Sequence, residues 1–220
     1  MSVLAVLLAA VGVTDLIRHR RVAVGLALVV AGLLLVGAGW HTLWLAPLLG
    51  LVVVVWSVAA ESGSSSGIAL LAVASIVLIA LSGQMPLGDV PIQGWYDDLA
   101  IPALATVPFD RAALGLGVVL FLTNSANIIV RSILSMTGPR VLAQEDDLQG
   151  GRVLGPLERW FVFACAVSGN LAVIAVVVAA KGILRFPEIT RDKPDGLRAE
   201  YVLVGSFVSW GLALVFVPLL

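Results

Sequence analysis

Residues 22–60 read VAVGLALVVAGLLLVGAGWHTLWLAPLLGLVVVVWSVAA, 39 residues without one Asp, Glu, Lys or Arg. About 20 mostly apolar residues cross about 30 Å of hydrocarbon. The stretch is therefore long enough for two spanning helices, with a break expected near Gly39, Trp40 and His41. Working outward, residues 62–88 are also uncharged and supply one more helix, centred on 68–81. Residues 112–130, 160–180 and 201–220 each supply another. Residues 2–17 form a seventh, weaker candidate that carries Asp15 near its end.

Composition supports the same reading. Of 220 residues, 60% are apolar and 12% charged, and the mean hydropathy is +1.07. Soluble domains average about 45–50% apolar and about 25% charged, so a compact water-soluble globule is excluded. Disorder is excluded for the same reason. Thirteen basic residues balance fourteen acidic ones, which leaves no basic face for nucleic acid. One cysteine, Cys165, inside an apolar run rules out an internal disulfide or a thiolate metal cage. His19 and His41 are the only histidines, so neither a metal centre nor a cofactor site is expected. Arginine outnumbers lysine eleven to two, and with the abundance of Ala, Val, Leu and Gly this points to a GC-rich bacterial genome.

Arg18, Arg20 and Arg21 follow the first apolar stretch, whereas a cleavable signal carries its charges before it. The expectation is an uncleaved first helix with these arginines on the cytoplasmic side. Counting outward, the 84–111 segment lies outside, and its Asp89, Asp97, Asp98 and Asp110 against Arg111 agree. The 131–159 segment then lies inside with Arg131, Arg140, Arg152 and Arg159. The last loop, with Lys181, Arg185, Arg191, Lys193 and Arg198, falls outside and breaks the rule. A re-entrant helix at 112–136 would leave six crossings and repair part of the imbalance. The expected fold is an all-α polytopic transmembrane bundle in a single domain over 1–220, with seven spans preferred and six possible. Gly94-Trp95-Tyr96-Asp97-Asp98 reads as a segment at headgroup level, and 141–152 as a polar connector.

Three constellations carry polar chemistry. Asn124, Asn127 and Arg131 are spaced i, i+3, i+7, so on one continuous helix they form an intramembrane polar stripe. Such a stripe faces protein, water or a polar ligand, or else holds helices together while Arg131 snorkels. Gly155-Pro156-Leu157-Glu158-Arg159 reads as a helix start, with Glu158 and Arg159 as its charge pair. That helix can run to Arg185, where Phe186-Pro187 stops it; thirty residues reach about 45 Å. Glu158 and Arg131 are then expected near one membrane surface, and Lys181, Arg185 and Glu200 near the other. Two cations beside one acid suit a phosphate or carboxylate headgroup, or serve as an interfacial anchor. Ser168-Gly169-Asn170 and the pair Gly205 and Ser209 read as close-packing surfaces between helices. No nucleophile–base pair, phosphate loop or paired carboxylates are present, so no catalytic residue is named.

Residues 150–210 contain Gly151-Arg152-Val153-Leu154-Gly155-Pro156-Leu157-Glu158-Arg159, then Ala179-Ala180-Lys181-Gly182-Ile183-Leu184-Arg185-Phe186, then Glu200-Tyr201-Val202-Leu203-Val204-Gly205. This region resembles the C-terminal signature of a family of uncharacterised bacterial inner-membrane proteins. The family pattern runs G-R-x-I-G-x-L-E-R, A-A-K-S-x-x-R-F and E-Y-x-L-I-G-T-x-x-S. Matching positions are Gly151, Arg152, Gly155, Leu157, Glu158, Arg159, Lys181, Arg185, Phe186, Glu200, Tyr201, Gly205 and Ser209. Gly182 and Ser206 depart from it, and of the family's N-terminal His and Asp-Phe motif only Asp15 has a counterpart. The resemblance implies a multi-pass fold and no particular activity.

The functional expectation is binding, or movement, of an anionic lipid or small anionic solute at Lys181, Arg185 and Glu200 in a bacterial plasma membrane. The alternative is a non-transporting accessory subunit whose polar faces meet another membrane subunit or a second copy of the chain.

Overall fold

The computed structural model describes residues 2–17, 25, 45–62, 64–81, 91–99, 101–102, 104, 106–137, 151–190 and 197–220, with the side chains at 2, 91, 137, 151–153, 185–190 and 197–200 excepted. Regular structure among the described residues is helical throughout. The chain divides into two compact units, residues 1–125 and 126–220.

In the first unit, α1 (Ser2–Leu16) is the central element. It is apolar around its whole circumference, and Val3, Leu4, Leu7, Leu8 and Val11 are all buried. A helix of that kind must be covered on every side. The candidate span weakest by apolar length is therefore the core of its unit. It packs chiefly on α5 (Phe109–Thr123), whose Leu114, Val118, Phe121 and Leu122 are buried. Two glycines allow the approach. A Cβ on Gly12 would lie 2.5 Å from the Leu120 carbonyl carbon, and one on Gly117 would lie 2.7 Å from the Ala5 carbonyl oxygen. Ala5 meets Gly117, Gly12 meets Leu120, and Asp15 meets Asn124 and Ser125. Residue numbers rise together along both helices, so α1 and α5 run parallel.

Beside them, α2 (Leu45–Ser62) and α3 (Ser66–Leu81) form an antiparallel hairpin closed over Gly67, which sits against Ala59 and Trp56. Their inner faces carry Leu49, Val53, Trp56, Leu71 and Leu78; Leu51, Val58, Val73 and Ile76 are exposed on the outer faces. Apolar side chains inside and out are what a lipid solvent permits and water does not. A short helix, α4 (Pro91–Asp97), is tied down by the Tyr96 hydroxyl donating to the Val107 carbonyl at 2.9 Å. Trp95 is exposed on it, within the segment expected at headgroup level.

The second unit contains α6 (Ser125–Thr137), α7 (Gly151–Val167), α8 (Leu171–Thr190), α9 (Leu197–Leu214) and a closing 3₁₀ turn, Val217–Leu219. Among the described residues, two helices are both long and apolar enough to cross a bilayer, 45–62 and 201–219, or three if α5 and α6, broken at Asn124, form one span. Residues 3–16, 66–81 and 171–184 form shorter apolar helices. The chain is thus all-helical in its described part and built as a membrane protein. The first of the two helices expected within 22–60, apart from Gly25, lies outside the described residues, as do the Arg18–Arg21 cluster and residues 141–150 of the polar connector.

The 160–180 stretch corrects the sequence reading. It is no continuous span; α7 ends at Val167 and α8 starts at Leu171. Gly169 has φ +73°, a left-handed conformation that costs an L side chain about 1–2 kcal/mol. The Asn170 N–H donates to Cys165 O at 2.8 Å and the Gly169 N–H to Ala166 O at 3.0 Å. That pair of bonds is a Schellman cap, and after it the chain folds back. Ser168-Gly169-Asn170 is a hairpin turn, where a packing surface was expected. The start of the helix moves as well: α7 opens at Gly151, placing Pro156, Glu158 and Arg159 inside it.

Candidate functional site

The fold-back sets the polar geometry of the second unit. Glu158 precedes Gly169 by about as many residues as Lys181 follows it, so an antiparallel hairpin brings the two side by side. The Lys181 Nζ donates to Glu158 Oε2 at 2.5 Å, with both side chains mostly buried. The same ammonium lies 5.3 Å from the centre of the Trp210 ring on α9, a cation–π distance. Expecting Glu158 and Lys181 at opposite membrane surfaces was wrong, because the expectation assumed one 30-residue helix. Arg185 lies on α8 and Glu200 on α9, and their side chains are outside the described residues.

One position along α7 turns the next side chain by about 100°, so Arg159 leaves Glu158 behind and points between α6 and α9. It is 1% exposed. Its Nη2 donates to Asn127 Oδ1 at 2.7 Å and its Nη1 to Ser209 Oγ at 3.2 Å. Burying a guanidinium is costly unless its donors find acceptors, and two elements provide them here. Glu158 and Arg159 are therefore no helix-start pair, since they serve different neighbours from mid-helix.

Around these groups α6, α7, α8 and α9 enclose a half-open cavity of about 120 Å³. Its wall includes Asn127 and Arg131 from α6, Glu158 and Arg159 from α7, Lys181 from α8, and Tyr201, Ser206 and Ser209 from α9, with Val130, Leu134, Leu154 and Val202 between them. Gly155 and Gly205 also line it. A Cβ on Gly155 would meet Arg159 Nη1 at 3.5 Å and Asn127 Oδ1 at 3.6 Å, ordinary contact with no overlap. Among the described lining residues, three cations face one carboxylate. An arrangement of this kind can hold an anion; it contains no nucleophile beside a general base.

The polar stripe divides. Asn124 sits at the break between α5 and α6, with φ −118° and ψ −39°, and its Nδ2 donates to the Asp15 carbonyl oxygen at 3.0 Å. Asn127 and Arg131, four residues apart on α6, remain together at the cavity. The expected three-residue stripe required an unbroken helix, which the break at Asn124 removes.

A second polar cluster, which no motif had indicated, lies in the first unit. Asp15 Oδ2 accepts from Trp56 Nε1 at 2.9 Å and from Ser125 Oγ at 2.5 Å. Trp56 and Ser125 are both buried, so the carboxylate joins α1, α2 and Ser125, the first residue after the break that follows α5. The one signal in the sequence was an acid closing an otherwise uncharged segment.

Compared with protein-family models, curated proteins and solved structures, the chain matches none of them.

Proposed function

We propose that this chain is a bacterial inner-membrane protein with a multi-pass helical bundle, and that the cavity in residues 126–220 binds a compact anionic group, in the manner of a lipid-binding protein or a carrier. The single observation behind the binding reading is the cavity wall, which carries Arg131, Arg159 and Lys181 together with Glu158. Cations at membrane depth are expensive and mark substrate paths or paired structural sites. Here they border open volume.

Two further features support the reading. The seven-span order sends residues 2–17 and 112–130 through the bilayer in the same direction, and the parallel run of α1 and α5 is what that order requires. Helices of 15–16 residues reach about 23–24 Å, and a bilayer accommodates such a shortfall by local thinning. The likeness to the inner-membrane family also falls on the cavity. Gly155, Glu158, Arg159, Lys181, Tyr201, Gly205 and Ser209, seven of the thirteen matching positions, line it.

The test is anion binding to the purified full chain in detergent, read as protection against thermal unfolding. Phosphate and sulfate should raise the midpoint in a saturable way, and chloride at equal ionic strength should not. In Arg131→Gln, which removes an exposed cation, the protection should weaken. No protection by any anion would leave the cluster as a structural anchor and favour the accessory-subunit reading.

A further inference from the structure

Resting on the anion-binding reading above, we infer that the Glu158 carboxylate is a built-in competitor for that site: it occupies Lys181, and an incoming anion binds by taking its place. The cavity is then self-occupied at rest, and the Glu158–Lys181 pair sets how tightly an anion is held.

The pair is placed for this role. Both side chains line the cavity, and at 17% and 16% exposure neither Lys181 nor Glu158 is sealed from it. Glu158 Oε2 accepts from Lys181 Nζ at 2.5 Å, the bond that a bound oxyanion would make with the same ammonium. Charge-assisted bonds from an ammonium to a carboxylate and to a phosphate or sulfate oxygen are alike in kind. The protein thus already presents an anion of its own to Lys181.

Two anions share one ammonium badly. An oxyanion bonded to Lys181 stands close to Glu158, and like charges at that range repel strongly where water is scarce. Its arrival therefore favours the arrangement in which the carboxylate has left. Which partner moves follows from the second contact of the lysine. Nζ lies 5.3 Å from the centre of the Trp210 ring on α9, an attraction that persists without the carboxylate. Lys181 is thus held from two sides, whereas the hydrogen bond of Glu158 among the described residues is to Lys181. Glu158 is the arm that swings, and the half-open cavity gives it room. Arg159 takes no part in the exchange; its donors stay with Asn127 and Ser209.

A site that is competent only while the pair is open loses apparent affinity in proportion to the time it is closed. Glu158→Gln keeps the side-chain size and removes the competing charge, so it should bind anions more tightly than the parent even though it loses an ion pair.

The experiment titrates sulfate into the detergent-solubilised full chain, with chloride holding the ionic strength constant, and reads Kd from the unfolding midpoint. In Glu158→Gln the ligand-free midpoint should fall and the sulfate Kd should drop about three- to tenfold. Glu158→Asp, with the charge on a shorter arm, should shift Kd the same way by less, and serves where Glu158→Gln does not unfold cooperatively. Lys181→Met should bind sulfate weakly, and adding Glu158→Gln to it should leave that weak binding unchanged. The general salting-out action of sulfate does not saturate and is common to all four variants and the parent, so it separates from binding. Saturable protection that is stronger in Glu158→Gln than in the parent, or present in Glu158→Gln alone, is the expected result. An unchanged Kd in Glu158→Gln would make the pair a strut, overturning the inference and leaving anion binding intact. A weaker Kd would place Glu158 among the groups that hold the ligand and overturn it as well. Equal tightening with and without Lys181 would mean repulsion at a distance, with no exchange at the lysine, and would also overturn it. Protection in none of these proteins would remove the anion-binding reading itself.

Discussion

Replacing Gly12 with alanine tests the central packing of the first unit. The new methyl carbon would lie 2.5 Å from the Leu120 carbonyl carbon, 2.7 Å from its oxygen and 2.8 Å from the Phe121 nitrogen. Carbon atoms rest at about 3.5–4.0 Å, so relief requires roughly 1 Å of separation. All three obstacles are backbone, and no rotamer change can supply that distance. The helices must move apart, and a gap of 0.5–1 Å forfeits about a quarter to a half of each contact's attraction. Overpacking of this kind costs about 1–3 kcal/mol. For a chain of this size each kcal/mol moves the midpoint by about 2–4 °C, so Gly12→Ala should unfold roughly 2–12 °C lower in a detergent melt followed by helical circular dichroism. Gly205→Ala is the control, because a Cβ there would first meet Leu134 at 3.7 Å, an ordinary contact. It should melt within about 2 °C of the parent. If Gly12→Ala melted with the parent while Gly205→Ala fell, the close parallel contact of α1 and α5 would be refuted.

The Asp15 cluster should respond to which oxygens survive. Asp15→Ala strands the buried Trp56 and Ser125 donors and should cost about 1–3 kcal/mol, whereas Asp15→Asn retains an acceptor and should cost less; similar midpoints for the two variants would count against the bonds. For the α7–α8 hairpin, a double-mutant cycle with Glu158→Gln and Lys181→Met should give a favourable coupling of about 0.5–3 kcal/mol by reversible unfolding. Additive effects would mean that the side chains do not meet.

Class and bulk architecture were legible because hydropathy measures solvent preference, and it marked 45–60 and 201–220 where helices long enough to span occur. It was blind to which helix lies innermost. The stretch ending at Asp15 ranked last by apolar length yet is the most enclosed, since a glycine such as Gly12 adds little hydropathy while permitting the closest approach. The turn at Ser168–Asn170 escaped for a related reason: one Gly-Asn pair interrupts an uncharged run, and its effect is conformational. Everything that depended on that turn went with it, including where Glu158 and Lys181 meet. Arg131, Asn127 and Lys181 were singled out as residue types that need company in a membrane, and all three line the cavity. Arg159 was placed by its distance from Pro156, when what decides its role is the side of α7 from which it projects.

The pairing of α1 with α5 also has a consequence for biosynthesis. Gly12 and Leu120 are 108 positions apart, and ribosomes add about 5–20 residues per second. Their contact therefore cannot form until about 5–20 s after α1 has been made. Throughout that interval the face that Gly12 opens is in the keeping of something else, such as acyl chains or insertion machinery. Asp15 gains Trp56 after 41 further residues and Ser125 only after 110. The nascent chain thus carries an acid that still lacks its Ser125 donor beside its most sociable surface for 110 residues of synthesis. Any slowing of synthesis between residues 62 and 109 would lengthen that exposure without altering a single contact of the finished protein.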